Sequence, residues 1–431
     1  MDDKRAVAER RHGMDRRDFV SLTLGVAAAG VAAAGVAGVA SGAAAGAAAG
    51  VASAAAAGAA SNSAPGAWHD ALIINALGDL DDPNPAPGAN DPAGPTQAVQ
   101  GVQPLSLNER AINDAMASGL NAINITLGYV SGNMEPFEYT ISEIGQWDAI
   151  LRANSARLLK VETASDILLA RGQHKIGVIY GFQNAAMVGT NPARIDIFAN
   201  LGVRVIQLTY NPANALGDGS MAPENRGLTP LGHAVVERLN ANRIMVDLSH
   251  SGEKTCLDAA RTSKQPISIN HTGCRALNNV PRNKTDEELR LVATKGGFVG
   301  IYFMPFLNAS SHATADDVVA HIEHAVNVCG EDHVGIGTDG PVTAIDDLEG
   351  YKKHLAAEIA ARRAAGISAT GERPDSFPFV VDLRGVGQFR ELADRLQRRG
   401  YTTGRIEKIL GRNFLRYAQD IWGVPRAPVD S

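Results

Sequence analysis

Ile244-Met245-Val246-Asp247-Leu248 running into Ser249-His250, Ile267-Ser268-Ile269-Asn270 running into His271, and Val334-Gly335-Ile336-Gly337-Thr338 running into Asp339 are three short β-branched runs, each ending in a side chain able to do chemistry. In a parallel α/β barrel the C-terminal ends of all strands open into one mouth, so residues far apart in sequence can meet there. Imidazole suits zinc, and a catalytic zinc keeps one coordination position open for water. The first expectation is a hydrolytic metal site at the mouth of such a barrel.

Working outward, apolar runs at 71–76, 121–126, 176–182, 203–209, 243–249, 266–270, 297–303 and 333–338 read as strands. Helical patterns lie between them. In 229–240, Thr229 can cap, Pro230 takes the first helical position, and Leu231, Val235, Val236 and Leu239 share one face. Thr285 to Glu288 and Thr314 to Asp317 carry capping spacing before apolar periodicity. Strand-then-helix alternation over about eight runs predicts an α/β fold, a (β/α)8 TIM-type barrel. No strand is followed by GxGxxG, which removes the dinucleotide-binding alternative. The segment 211–228 is a long loop expected to overhang the mouth. After 340 a polar, charge-rich insertion leads to helical patterns at 382–399 and 403–421, expected on the barrel exterior or at a dimer contact.

The 431 residues are 45% hydrophobic and 20% charged with net charge -6, an ordinary soluble-enzyme balance that gives no support for a nucleic-acid partner. Met14-Asp15-Arg16-Arg17-Asp18-Phe19 followed by a weakly apolar Ala/Gly/Val tract reads, over 1–60, as a twin-arginine export signal. Ala52-Ser53-Ala54 offers a cleavage site, so the expected mature chain is exported, periplasmic, and free of a membrane anchor. Residues 61–67 read as a flexible neck, 68–424 as the catalytic domain and 425–431 as a tail. Cys256, Cys274 and Cys329 have no CxxC spacing and are expected as buried thiols.

At Leu208-Thr209-Tyr210-Asn211, Gly227-Leu228-Thr229-Pro230-Leu231-Gly232, Val246-Asp247-Leu248-Ser249-His250, Ile269-Asn270-His271, Val334-Gly335-Ile336-Gly337-Thr338-Asp339 and Lys408-Ile409-Leu410-Gly411-Arg412-Asn413-Phe414-Leu415-Arg416, the chain resembles the membrane dipeptidase family, peptidase family M19 of the amidohydrolase superfamily. The resemblance runs from about 70 to 421. It implies a metal-dependent amidohydrolase-like barrel with C-terminal helices, cleaving small dipeptides with zinc, and a homodimer. It places metal ligands at His250, His271, Asp79 and Gln183, the acid/base aspartate at Asp339, and the substrate-carboxylate arginine at Arg282. Tyr210 falls where the family carries a histidine that touches the substrate carbonyl, and a phenol can still donate to a developing oxyanion.

Two departures weaken one metal position. Leu77 stands where the first histidine ligand belongs, and Gln183 replaces the carboxylate that bridges two ions. An amide offers one neutral oxygen where a carboxylate offers two anionic ones. One zinc ion is therefore expected, with two still open. The alternatives are a catalytically degenerate binding protein and a mononuclear amidohydrolase acting on a lactam, lactone or other cyclic amide. His321 and His324 have one-turn spacing, but barrel helices lie outside the mouth, so they read as surface or packing residues.

Overall fold

The computed structural model describes residues 70–84 and 107–423. The leader, the neck at 61–67 and the tail at 425–431 lie outside them. Among the described residues are nine strands: β1 (Ile74–Gly78), β2 (Ala122–Leu127), β3 (Leu158–Val161), β4 (Ile176–Phe182), β5 (Val203–Gln207), β6 (Met245–Asp247), β7 (Ser268–Thr272), β8 (Phe298–Ile301) and β9 (Val334–Ile336). All pairings are parallel, in the order β1-β2-β4-β5-β6-β7-β8-β9. The ring comes together where the Asp339 amide donates to the Leu77 carbonyl at 3.0 Å and the Asp79 amide to that of Gly340 at 3.2 Å. The eight runs read from the sequence are thus the eight strands of a near-closed (β/α)8 barrel.

β3 is the strand that periodicity missed. It is four residues long, Leu-Leu-Lys-Val, buried only at its two ends, and sits between two helical patterns. It pairs with the N-terminal half of β4, from Leu158 opposite Ile176 to Val161 opposite Ile179, while β5 pairs with the C-terminal half.

Successive side chains on a strand point to opposite faces, which divides the core into two layers. Ile206, Val246 and Val299 belong to the cluster under the helices, and their neighbours Val205, Met245 and Phe298 to a second cluster. Phe414, Tyr417 and Trp422 of the last helix, Asn413–Trp422, complete that second cluster, with Phe414 edge-on to Phe298 at 5.3 Å. The final helical pattern therefore covers the N-terminal ends of the strands. It reaches β1 through Gly411, where a Cβ would stand 2.4 Å from the Leu72 carbonyl.

The helix starts follow their signals. Thr229 accepts from the Gly232 amide at 3.0 Å, and Thr285–Glu288 and Thr314–Asp317 form capping boxes. The loop 211–228 turns back on the mouth through bridges Gly217–Leu228 and Gly219–Ser251, and Ser220 donates to the His250 carbonyl at 2.7 Å. Among the described residues no helix is long and apolar enough to cross a membrane.

Candidate active site

Two residues on from the inward-packing Val205 and Met245, the same strand faces carry Gln207 and Asp247, so the barrel interior turns polar towards its C-terminal end. Asp247 organises that end. One of its carboxylate oxygens accepts from the Ser249 amide at 3.0 Å, the Ser249 hydroxyl at 2.5 Å and the Asn270 amide at 3.0 Å. The Ser249 hydroxyl oxygen in turn accepts from the His271 amide at 3.0 Å. This network ties the two histidine-bearing strand ends to each other.

The His250 and His271 rings lie 4.9 Å apart between centroids, tilted by 59°, and Tyr210 stacks on His250 at 4.2 Å. His250 Nδ1 lies 2.7 Å from Asn211 Oδ1, and its Nε2 lies 3.2 Å from Nη2 of Arg282. A guanidinium can only donate, so Nε2 is the acceptor and Nδ1 carries the proton given to Asn211. Burial, and then the charge of Arg282, hold His250 and His271 well below the usual imidazole range, and both rings are neutral. Both ring nitrogens of His271 are buried without a partner.

Arg282 is 1% exposed, and its Nη1 donates to the Ser249 carbonyl at 2.6 Å. A buried guanidinium held by a carbonyl and an imidazole keeps its other N–H groups for an anion. Asp339 sits just beyond β9 in the left-handed region, φ 60°, which turns it out of the strand path. Enclosure by protein raises its pKa to about 7, with Arg282 pulling it down and Asp79 pushing it up; burial likewise raises Asp79 to about 6.

A cavity of about 530 Å³ opens at this mouth, bordered by Asp79, Tyr210, His250, Arg282 and Asp339. Two expected members stand apart from it. His271 lies behind His250, fully buried, and Gln183 gives its side-chain amide N–H to Thr126 Oγ1 at 2.7 Å while its backbone carbonyl accepts from the Gln207 side chain. Of the expected ligands, Asp79 and His250 border the cavity with Asp339, and His271 adjoins it through the His250 ring. Among the described residues no three His, Cys, Asp or Glu side chains gather closely enough to hold an ion. A catalytic zinc takes three protein ligands. Here Leu77 offers none, Gln183 is turned to Thr126, and both His250 nitrogens are engaged, so the donor set does not fit a metal pair.

His321 and His324 are the packing residues expected. His321 is buried, accepting from the Cys274 amide at 2.8 Å and contacting the Leu307 carbonyl at 2.9 Å, and His324 meets Asp286 at 2.7 Å. The three cysteines are free and buried. What sequence reading missed is the insertion: the helix Leu348–Ala364 borders the cavity with Tyr351, Leu355, Glu358, Ile359 and Arg362. Their spacing, near i, i+4, i+7 and i+11, is a one-face stripe that periodicity could have flagged.

A profile of the membrane dipeptidase family, peptidase family M19, matches residues 116–368, more than half of the chain. The chain belongs to this family. It is 27% identical over 286 residues to dipeptidase tcpJ of Claviceps purpurea, covering 65% of this chain and 60% of that one, so it spans under two thirds of that relative's length. An amidohydrolase from Pseudomonas aeruginosa is 30% identical with a TM-score of 0.67, covering 82% of this chain and 98% of the other. A metallopeptidase from Rhodobacter sphaeroides, solved with a phosphinate mimic of L-Ala-D-Ala, shares the fold at a TM-score of 0.61 and 19% identity, covering 82% of this chain and 99% of that one.

Proposed function

We propose that this chain hydrolyses the amide bond of small dipeptides in the cavity at the barrel mouth. The observation that carries the reading is that Arg282 and Asp339 border one cavity, with Tyr210 beside them. Arg282 takes the substrate's terminal carboxylate and so fixes where the scissile carbonyl lies. Asp339, with a pKa raised to about 7, can both accept and return a proton near neutral pH. It takes the proton of the attacking water and delivers it to the leaving amine. Tyr210, held flat against His250, donates a hydrogen bond from its hydroxyl to the developing oxyanion.

Zinc dependence is general in the family, and the finer proposal of a single zinc concerns His250 and His271, the pair of imidazoles that remains. Zinc there requires Arg282 to give up Nε2 of His250, and no step is assigned to an ion. Leu77 and Gln183 favour a second reading, a member that binds its ligand without cleaving it. Export through Arg16 and Arg17, with function in the periplasm, is proposed from the leader.

The test is hydrolysis of a dipeptide panel by the purified protein, with Asp339→Asn as control. Cleavage abolished by the substitution supports the hydrolase. Dipeptide binding without cleavage supports the binding protein.

A further inference from the structure

The cavity has two chemically different linings. The strand ends supply charge: Asp79, Arg282 and Asp339. The insertion supplies, beside the charged Glu358, Arg362 and Glu372, an apolar stripe: Tyr351, Leu355 and Ile359 from Leu348–Ala364, with Phe379 further along. Tyr351 and Phe379 rings lie 5.9 Å apart, and Phe377 stacks on Phe379 at 5.1 Å, so three aromatic rings form one group at the cavity edge.

That group is braced. Arg384 lies over the Phe379 ring at 5.6 Å. Arg362 of the same helix forks onto Glu372 at 2.8–3.2 Å, and Asn211, the partner of His250, donates to the Ile367 carbonyl at 2.8 Å. The insertion is thereby tied to the strand-end side of the site. A cavity of about 530 Å³ falls in the range of ~300–1,000 Å³ that holds drug-sized ligands, more than a dipeptide of two small residues fills.

We propose that the substrate's acyl side, the part amino-terminal to the scissile amide, carries a large apolar group, aromatic or branched, which packs against Tyr351 and Phe379. This rests on the reading that Arg282 takes the carboxylate at the other end. With the carboxyl end fixed there and the carbonyl beside Asp339 and Tyr210, the acyl substituent is the part left to meet the apolar lining. Two substrate classes share that chemistry: dipeptides with a bulky first residue, and N-acyl amino acids with an apolar acyl chain.

The experiment compares Phe-Gly, Gly-Phe, Gly-Gly and 3-phenylpropanoyl-glycine by calorimetric binding and by hydrolysis on the full chain. Phe-Gly or 3-phenylpropanoyl-glycine should bind about ten-fold or more tightly than Gly-Gly, the effect of burying one aromatic side chain. A preference for Phe-Gly over its phenylpropanoyl analogue identifies dipeptides; the reverse identifies N-acyl amino acids. Tyr351→Ala and Phe379→Ala should collapse the ratio to about two-fold or less, and Tyr351→Phe should keep it, with circular dichroism reporting the fold of each variant. Equal binding of Phe-Gly and Gly-Gly, preference for Gly-Phe, or no binding at all overturns the proposal. Tight binding of Phe-Gly without cleavage leaves it standing and removes the hydrolase reading instead.

Discussion

Nη2 of Arg282 stands 3.2 Å from Nε2 of His250, so the guanidinium covers the ring nitrogen that an imidazole would offer to an ion. The same residue borders the cavity in which a substrate carboxylate would sit. One buried cation thus joins the histidine pair to the substrate space, and Arg282 is the residue to test first.

Arg282→Ala should raise KM for dipeptides by about ten-fold or more, the value of one charge-assisted contact of ~1.5–3 kcal/mol. Substrates amidated at the C-terminus should be poor for the wild type and little changed by the substitution. Steady-state kinetics on the two substrate series decide it. Equal losses on both would mark Arg282 as structural.

Metal content should follow the donor set. Elemental analysis of the wild type should return fewer than two zinc ions per chain, because Leu77 and Gln183 leave one position without an imidazole and without an anionic bridge. The double variant Leu77→His, Gln183→Glu should hold more zinc, with Asp79 available beside it. Two ions in the wild type would refute the reading of the site given above.

Asp339→Asn keeps a residue type that tolerates the left-handed backbone at φ 60°, so the fold should survive. Loss of a positioned acid/base group typically costs ~10²–10⁴-fold. A fall of that size in kcat, at unchanged melting temperature, is the expected result.

Phe414→Ala removes a ring packed on Phe298 at 5.3 Å and on Tyr417 beneath the barrel. Substitutions of this kind cost ~3–5 kcal/mol. Denaturant unfolding should show that loss, and a change under about 1 kcal/mol would mean that the last helix does not close the core.

His321 sets a pH dependence whose sign follows from its buried, neutral state. Burial lowers its pKa from 6.5 to about 4, so between those values the unfolded chain binds the proton and the folded chain does not. Its contribution to stability is fully present above pH 6.5 and is lost as pH falls towards 4. His321→Gln should be less stable at neutral pH and show a flatter fall in melting temperature over that window.

Much of this molecule was legible in the chain because it is written locally. Strand runs, capping boxes at Thr285 and Thr314, and Pro230 behind Thr229 depend on residues within one or two turns of one another, so alternation and spacing revealed the barrel. The chemistry at strand ends followed, since a parallel barrel brings all those ends to one face whatever else the chain does. The short β3 escaped because four residues carry too little pattern.

The relationships that decide the site are not local. Arg282 meets His250 across 32 residues, Asn211 meets Ile367 across 156, and the apolar cavity lining comes from an insertion that reads as polar and charged. Sequence by itself put Asp79, Tyr210, His250, Arg282 and Asp339 at the mouth. Only the tertiary structure decided which of them touch, that His271 lies behind His250, that Gln183 bonds Thr126, and that the last helix covers the barrel floor. The physical reason is that side-chain direction and hydrogen-bond partnership are set by packing against distant elements, where no short-range periodicity reports the outcome.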